Sequence, residues 1–280
     1  MPELPEVETV RRGIERMAVG RRIARVEVGR ERTVRRTSRE ALIDGLSGTT
    51  ITHAGRRGKY LLCSLDSGEQ MMIHLRMSGR VLIADAGAQR LPHTHVVLHL
   101  EALGNQPPCE LWFVDPRTFG EVVVFDPNQL AEQMPELIRL GIDPLVDEFT
   151  PEILRQRFAG KRGNLKGTLL NQSVIAGIGN IYADEALFLR KIHPQISASR
   201  IRELKKLWQA IIALLERSIT SGGSSIRNYV NASGEAGTYA QKHLVYGKTG
   251  EPCSRCGTLI SRIVLSGRAT HFCPSCQPRS

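Results

Sequence analysis

The feature that most restricts the fold of this chain lies near its C-terminal end: Cys253-x2-Cys256, then sixteen residues, then Cys273-x2-Cys276. Each CxxC pair can present two thiolates to one ion, and two pairs complete a tetrahedral site. Zinc is favoured over iron. A closed four-cysteine site is structural, so the ion would staple a small β-ribbon that has too little core of its own. Paired disulfides are the alternative, but the acidic, proline-bearing start of the chain does not resemble the export signal they would need. Cys63 and Cys109 fall outside the spacing and read as packing residues.

At 280 residues the chain is too long for most single cores, so two domains are expected. Hydrophobic periodicity separates them. Val7, Val10, Ile14 and Met17 recur at helical spacing, with Arg11, Arg12, Glu15 and Arg16 turned away, which predicts an amphipathic helix ended by Gly20. Short β-type runs follow at 22–28, 60–65, 71–75, 81–84, 95–100 and 121–125, the pattern of an antiparallel sandwich. The acidic, proline-containing stretch 132–148 reads as the junction. Beyond it Thr150 suits an N-cap and Pro151 a first turn, so a helix is predicted to about Ala159. Two more helices, 165–171 and 180–191, flank Ser173–Gly179, and 201–220 is the longest helical stretch. The glycine-, serine- and asparagine-rich segment 222–239 reads as a mobile loop. No run approaches 18 apolar residues, so no membrane span is expected and the cytosol is the expected compartment.

Charge is unevenly spread. The net +10 combines residues 151–280, with 19 basic and 7 acidic side chains, and residues 101–150, with 2 basic and 10 acidic. Arg21 to Arg39 adds eight arginines against two glutamates. A basic half beside an acidic belt favours a polyanion such as nucleic acid, with a merely solvated basic face as the alternative. Gly177-Ile178-Gly179-Asn180, ahead of a predicted helix, places backbone N–H groups at a positive helix end suited to a phosphate. A glycine pair before a helix is also simply a turn.

Proline in second place carries a different chemistry. Loss of Met1 would leave a free secondary amine, and an α-amino group titrates near about 7.7–8.0, against about 10.4 for lysine. Such an amine can attack a sugar carbon or carbonyl to give a Schiff base, with Glu3 placed to handle the proton. A merely tolerated second residue is the competing reading.

Six separated motifs then fall into a series: Pro2-Glu3-Leu4-Pro5-Glu6-Val7-Glu8, Gly58-Lys59-Tyr60-Leu61, His74-Leu75-Arg76-Met77-Ser78-Gly79, Asp115-Pro116-Arg117-Thr118-Phe119-Gly120, Gly177-Ile178-Gly179-Asn180-Ile181-Tyr182-Ala183 and the cysteine finger. From Pro2 to Gln277 the chain resembles the formamidopyrimidine-DNA glycosylases. Leu4 is similar to their oxidised-purine branch rather than the related endonuclease VIII branch. The resemblance implies an α+β fold. Its parts would be an N-terminal antiparallel β-sandwich with an amphipathic N-terminal helix, a helical helix-two-turn-helix domain and a four-cysteine zinc finger. The implied division is 1–131 for the catalytic sandwich, 132–149 for a linker, 150–240 for the helical DNA-binding domain with a lesion-covering loop, and 241–280 for the finger hairpin.

It also implies a bifunctional glycosylase and abasic-site lyase. Such an enzyme removes 8-oxoguanine and ring-opened purines and cuts the strand by β,δ-elimination. Pro2 would be the nucleophile, Glu3 the acid and base, Lys59 the β-elimination and phosphate-contacting lysine, and Arg268 the arginine of phosphate binding and δ-elimination. Met77, Arg117 and Phe119 would fill the hole left by a flipped nucleotide, although Met77 and Phe119 taken alone would read as core. His74, His93, Lys161 and Asn180 match DNA contacts, and Ser224, Ser225 and Tyr239 are candidates for contacts to the base. His93-x-His95-x3-His99 also resembles a metal pattern, but with no evident carboxylate or cysteine partner. The implied requirements are one structural Zn2+, no organic cofactor, damaged double-stranded DNA and no membrane, for a monomer in the cytoplasm associated with the nucleoid. Thr118 departs from relatives with a second arginine there, and the insert Leu103–Pro108 has no assigned function. Oxidised pyrimidines as substrate, or damage binding without catalysis, are the rival readings. The second would be expected to have lost Pro2, Glu3 or Lys59.

Overall fold

The computed structural model describes residues 1–34, 36–201, 203–224 and 230–279. Its contacts divide it into two units, Met1–Arg139 with Gly222–Thr238, and Leu140–Ser221 with Tyr239–Ser280.

The first unit opens on helix α1 (Leu4–Met17), which begins just behind the first residues, as the apolar spacing predicts. A capping box starts it: the Glu3 side chain accepts from the Glu6 backbone, and the Glu6 side chain accepts from the Glu3 N–H at 2.8 Å. Pro5 fits the first turn, where its missing N–H costs nothing. Eight strands follow: β1 (Ile23–Val28), β2 (Ile51–Arg57), β3 (Tyr60–Leu65), β4 (Gln70–His74), β5 (Arg80–Asp85), β6 (Thr94–Leu100), β7 (Cys109–Val114) and β8 (Glu121–Phe125). They form two antiparallel four-stranded sheets, ordered β1-β6-β7-β5 and β2-β3-β4-β8. Val7, Val10 and Ile14 of α1 join side chains of both sheets in one core, with Leu61, Ile73, Leu98 and Phe113 among its buried members. Helix α2 (Arg39–Leu46), begun by Ser38 accepting from the Ala41 N–H, adds Leu42 and Leu46 to the same core.

Three of these elements differ from the sequence expectation. β2 alternates poorly and carries Gly55, so its strand character comes from pairing with β3. β7 is a nearly continuous apolar run behind two prolines, and α2 is only eight residues long with Gly45 inside it. Helices α3 (Leu130–Gln133) and α4 (Pro135–Ile138) are single turns within the acidic stretch.

The described parts of Gly222–Thr238 are anchored rather than loose. Ser224 bridges Thr238, and the Ala232 carbonyl accepts from the Ile83 N–H at 2.7 Å. Gly13 lets this segment approach α1: a Cβ there would lie 2.5 Å from Ala232 Cβ, which explains a glycine inside a helix that it weakens.

The second unit holds α5 (Pro151–Phe158), α6 (Leu165–Leu170), α7 (Asn180–Leu189), α8 (Leu204–Thr220) and the hairpin of β9 (Ser261–Leu265) and β10 (Arg268–Phe272). Thr150 caps α5, as expected from sequence, and Asn164 caps α6 by accepting from the Gly167 N–H at 2.7 Å. Gln172 knits the two turns between α6 and α7. Its Oε1 accepts from the Gly177 N–H, and its Nε2 donates to the carbonyls of Leu170 and Ile178. α7 is buried on every side from Ile181 to Phe188.

Two fully buried charges join α6 to α7, Lys166 Nζ lying 2.7 Å from Asp184 Oδ1. Lys166 also donates to Ala269 O and Thr270 Oγ1, and Asp184 Oδ2 accepts from the His271 N–H. Removing one partner leaves a buried charge uncompensated. Asp184→Ala is therefore expected to lower the unfolding free energy by about 3–5 kcal/mol in a urea titration, far more than the exposed Glu152→Ala.

Candidate active site and metal centre

In the first unit Pro2 is buried behind an exposed Met1, and Glu3 and Glu6 are buried with it. The Glu6 carboxylate holds two segments at once. Oε2 accepts from the Glu3 N–H and Oε1 from the Ser224 N–H at 2.7 Å. Two residues further along α1, burial alone would raise the Glu8 carboxyl, but Arg11, Arg12 and Arg56 outweigh it and hold it below the usual range. Arg56 donates to Glu8 Oε2 at 3.2 Å and to the Gly58 carbonyl at 2.8 Å, so it ties the β2–β3 turn to α1. Lys59 stands in that turn and is buried, 7% exposed. Neither Glu6 nor Arg56 stood out in the sequence as a functional residue. Their roles depend on partners distant along the chain.

Across the ladder His74 pairs with Tyr60 on one side and Glu121 on the other, with the Tyr60 ring edge-on at 4.4 Å. His74 Nδ1 accepts the Arg76 N–H at 3.0 Å, which leaves the ring proton on Nε2 as a donor. Burial, then the charges of Arg76 and Lys59, push His74 down to about 3. Burial would raise Glu121, but Arg36 and Arg76 outweigh it and keep that carboxyl below its usual range.

Met77 and Phe119 are exposed, 44% and 38%, not part of the core. Arg117, also exposed, lies with Cζ 4.8 Å over the Phe119 ring. The described non-glycine residues with positive φ are Arg76 (50°), His93 (67°), Thr118 (53°), Lys191 (56°) and Ser266 (49°). Lys191 follows α7; Arg76 borders Met77, His93 is itself a candidate contact, Thr118 lies between Arg117 and Phe119, and Ser266 is two residues before Arg268. Backbone strain of this kind gathers where surrounding structure over-determines a loop. The histidine series does not converge. A bulge at His95 breaks its register with His99; His95 Nε2 meets the Asp115 carbonyl at 2.9 Å. Contrary to the sequence expectation, His99 has carboxylate partners, Glu27 at 2.7 Å and Glu110 at 3.2 Å. Among the described residues these do not form a metal-binding group. Ser225 lies outside the described residues.

In the second unit the four finger sulfurs lie within 4.8 Å of one another, with separations of 3.5 Å for Cys256–Cys273 and 3.9 Å for Cys253–Cys276. All are free thiols, far too distant for disulfides. A tetrahedral ion with bonds of about 2.3 Å would hold its sulfurs about 3.8 Å apart, so the site fits zinc. N–H groups of Arg255 and Cys276 point at Cys253 and Cys273 Sγ. The finger is fastened to α7 by Arg255, which donates to the Phe188 carbonyl and covers the Phe188 ring at 4.3 Å. Arg268 is exposed where β10 leaves the turn. Its neighbour Ala269 is held by Lys166 and by Asn180, whose Nδ2 donates at 2.9 Å. Lys161 is exposed after α5, whereas Tyr239 is buried against Tyr182 and His243.

Three domain families match in order: the formamidopyrimidine-DNA glycosylase N-terminal domain over residues 1–122, its H2TH domain over 140–230, and the zinc finger found in FPG and IleRS over 250–279. The chain is 46% identical over 281 residues to the formamidopyrimidine-DNA glycosylase of Herpetosiphon aurantiacus, covering 99% of this chain and all of that one. It belongs to the formamidopyrimidine-DNA glycosylase family. Among solved structures of this family it is similar to Lactococcus lactis Fpg in complex with DNA containing an abasic site, at 38% identity and a TM-score of 0.89. It is also similar to MutM in complex with DNA containing carbocyclic 8-oxo-G, at 38% identity and a TM-score of 0.88. Each comparison covers 99% of this chain and 100% of the other.

Two outcomes follow from this geometry. Because burial depresses His74, protons bind the unfolded chain first: its contribution to stability is complete above about pH 6.5 and is lost as pH falls toward 3. NMR of the ring should report a neutral Nε2–H tautomer from pH 8 down to pH ~5, and a midpoint near 6.5 would contradict it. Chelation should release one zinc and open four thiols to a thiol reagent, while Cys63, pushed up to about 12 by burial, stays silent.

Proposed function

We propose that this chain excises oxidised purines, 8-oxoguanine and formamidopyrimidines, from duplex DNA and then cuts the strand. The observation that carries the reading is the buried first turn of α1, which fixes Pro2 and Glu3 beneath an exposed Met1, in a chain that matches this family from end to end. Removal of Met1 frees the Pro2 nitrogen. Its lone pair attacks C1′, the glycosidic bond breaks with its electron pair going to the base, and the proton shed by the attacking Pro2 nitrogen passes to the departing base. Glu3 delivers a proton to O4′ as the C1′–O4′ bond opens, leaving an iminium between Pro2 and the sugar. Loss of a C2′ proton then expels the 3′ phosphate, a second elimination expels the 5′ phosphate, and water releases Pro2. Lys59 serves the first elimination and Arg268 the second.

The buried, cation-flanked His74 offers a neutral N–H donor, suited to a phosphate oxygen without titrating near neutral pH. Met77, Arg117 and Phe119 enter the space of the extruded nucleotide, with Arg117 as the donor to the orphaned base. His93, Lys161 and Asn180 are read as further DNA contacts. Cys253, Cys256, Cys273 and Cys276 hold one structural zinc, which supplies no open coordination position and shapes the hairpin bearing Arg268. Labour is divided along the chain as 1–131 for catalysis, 132–149 as linker, 150–240 for the helical DNA grip and 241–280 for the finger. The segment that clusters with the first unit covers the lesion. No described helix is long and apolar enough to cross a membrane, and a monomer acting in the cytoplasm on the nucleoid suits the chemistry.

The test is excision from duplexes of one sequence bearing 8-oxoguanine, a formamidopyrimidine or an oxidised pyrimidine. The purine lesions should be removed at least about tenfold faster, a difference of about 1.4 kcal/mol in barrier. Pro2→Gly, which keeps an amine but loses the ring, should slow excision and cutting together. Equal rates on all three lesions would defeat the purine assignment.

A further inference from the structure

The loop carrying Met77 and the loop carrying Arg117 and Phe119 leave different strands, β4 and β7, of different sheets. Strand pairing joins only their ends, His74 with Glu121 and Arg80 with Val114. One side chain joins them between those ends. Asp115 is fully buried, and its carboxylate serves both loops. Oδ1 accepts from Ser78 Oγ at 2.5 Å and from the Arg117 N–H at 3.1 Å, and Oδ2 accepts from the Gly120 N–H at 2.7 Å. The main chain of Asp115 extends the same knot. Its N–H donates to the His93 carbonyl, and its carbonyl accepts from the Thr118 N–H and meets His95 Nε2. Each loop needs a glycine, Gly79 for its own turn and Gly120 for its close approach to Phe113 and the end of β4. A Cβ at Gly79 would lie 2.5 Å from the Leu75 carbonyl oxygen, and one at Gly120 would lie 2.6 Å from Phe113 Cζ and 2.9 Å from the His74 carbonyl oxygen.

We infer that Asp115 and Ser78 are positioning residues that lock the two wedge loops into one body, so that Met77, Arg117 and Phe119 enter an opened duplex together. Two of the three carboxylate bonds stay within the Asp115 loop and shape its turn. Of the three, the Ser78 bond crosses to the other loop, and Arg76 Nη2 donates across as well, to Glu121 Oε1 at 3.0 Å. The strained backbone at Arg76 and Thr118 sits on either side of this crossing, where a loose loop would relax. Rigid presentation matters because a wedge must replace lost stacking as the base leaves; ordering it only then would tax the same step. The inference rests on the wedge reading of the proposed function.

Ser78→Ala removes the Ser78–Asp115 bond and leaves every bond inside the Asp115 loop. The experiment compares parent, Ser78→Ala, Ser78→Thr and Met77→Ala in full-length, zinc-loaded protein. Two rates are measured: excision of 8-oxoguanine from a duplex, and cutting at a preformed abasic site in a single strand, which presents no hole to fill. A 2-aminopurine opposite the lesion reports wedge entry. The tie predicts that Ser78→Ala lowers the ratio of duplex to single-strand rates by about tenfold and delays the 2-aminopurine signal, that Met77→Ala does the same, and that Ser78→Thr restores both. If Met77→Ala lowers the ratio while Ser78→Ala leaves it at the parent value, the tie is wrong and the wedge survives. A Ser78→Ala protein slowed equally on both substrates has only lost structure, which also overturns the tie. If Met77→Ala itself leaves the ratio unchanged, the wedge reading falls and takes the tie with it.

Discussion

The buried carboxylate of Glu6 is the contact on which the candidate active site depends. It completes the cap of α1 through the Glu3 N–H and receives the Ser224 N–H, 218 residues away in sequence. A terminal segment would ordinarily fray, because the first N–H groups of a helix have no partners within it. Here the cap and the buried apolar stripe of α1 hold the start of the chain against the sandwich. The same carboxylate stations one end of Gly222–Thr238 beside that start. Gly223 leaves it no spare room, since a Cβ there would meet Glu6 Oε1 at 3.0 Å. Fixing the start of α1 and anchoring Ser224 are thus one interaction.

Around that start, charge is arranged to stay fixed rather than to titrate. Arg56 carries the Lys59 turn to α1, Arg36 and Arg76 hold Glu121 ionised, and His74 is kept neutral by burial and by cations. The phosphate grip proposed for His74 needs a donor whose protonation does not drift near pH 7, and a depressed histidine with one committed nitrogen supplies such a donor. The second unit solves a parallel problem with different means. Its hairpin has almost no core, so four thiolates on one ion, Arg255 on α7 and the buried Lys166–Asp184 pair fix it instead.

Much of the fold is legible in the sequence because its signals are local. The cysteine spacing, the apolar period of α1 and α8, and Thr150 ahead of Pro151 each identify an element without reference to the rest. β2, β7 and α2 are not legible for the opposite reason: a glycine-bearing polar strand and a short capped helix become regular only when a neighbour pairs or packs with them. The site divides in the same way. Pro2 and Lys59 stand out through motifs; Glu6 and Asp115 stand in motifs too, but their bonds to Ser224 and Ser78, like that of Arg56 to Glu8, join residues far apart along the chain. Exposure works against sequence reading as well, for Met77 and Phe119 look like core until the structure turns them outward.

The central claim is that the chain's own terminal amine performs the chemistry. Borohydride reduction during reaction with an 8-oxoguanine·cytosine duplex, followed by peptide mapping of the adduct, addresses it most directly. The account predicts a single covalent adduct on the nitrogen of Pro2, in protein that has lost Met1. An adduct on Lys59 or another lysine, with Pro2 unmodified, would contradict it.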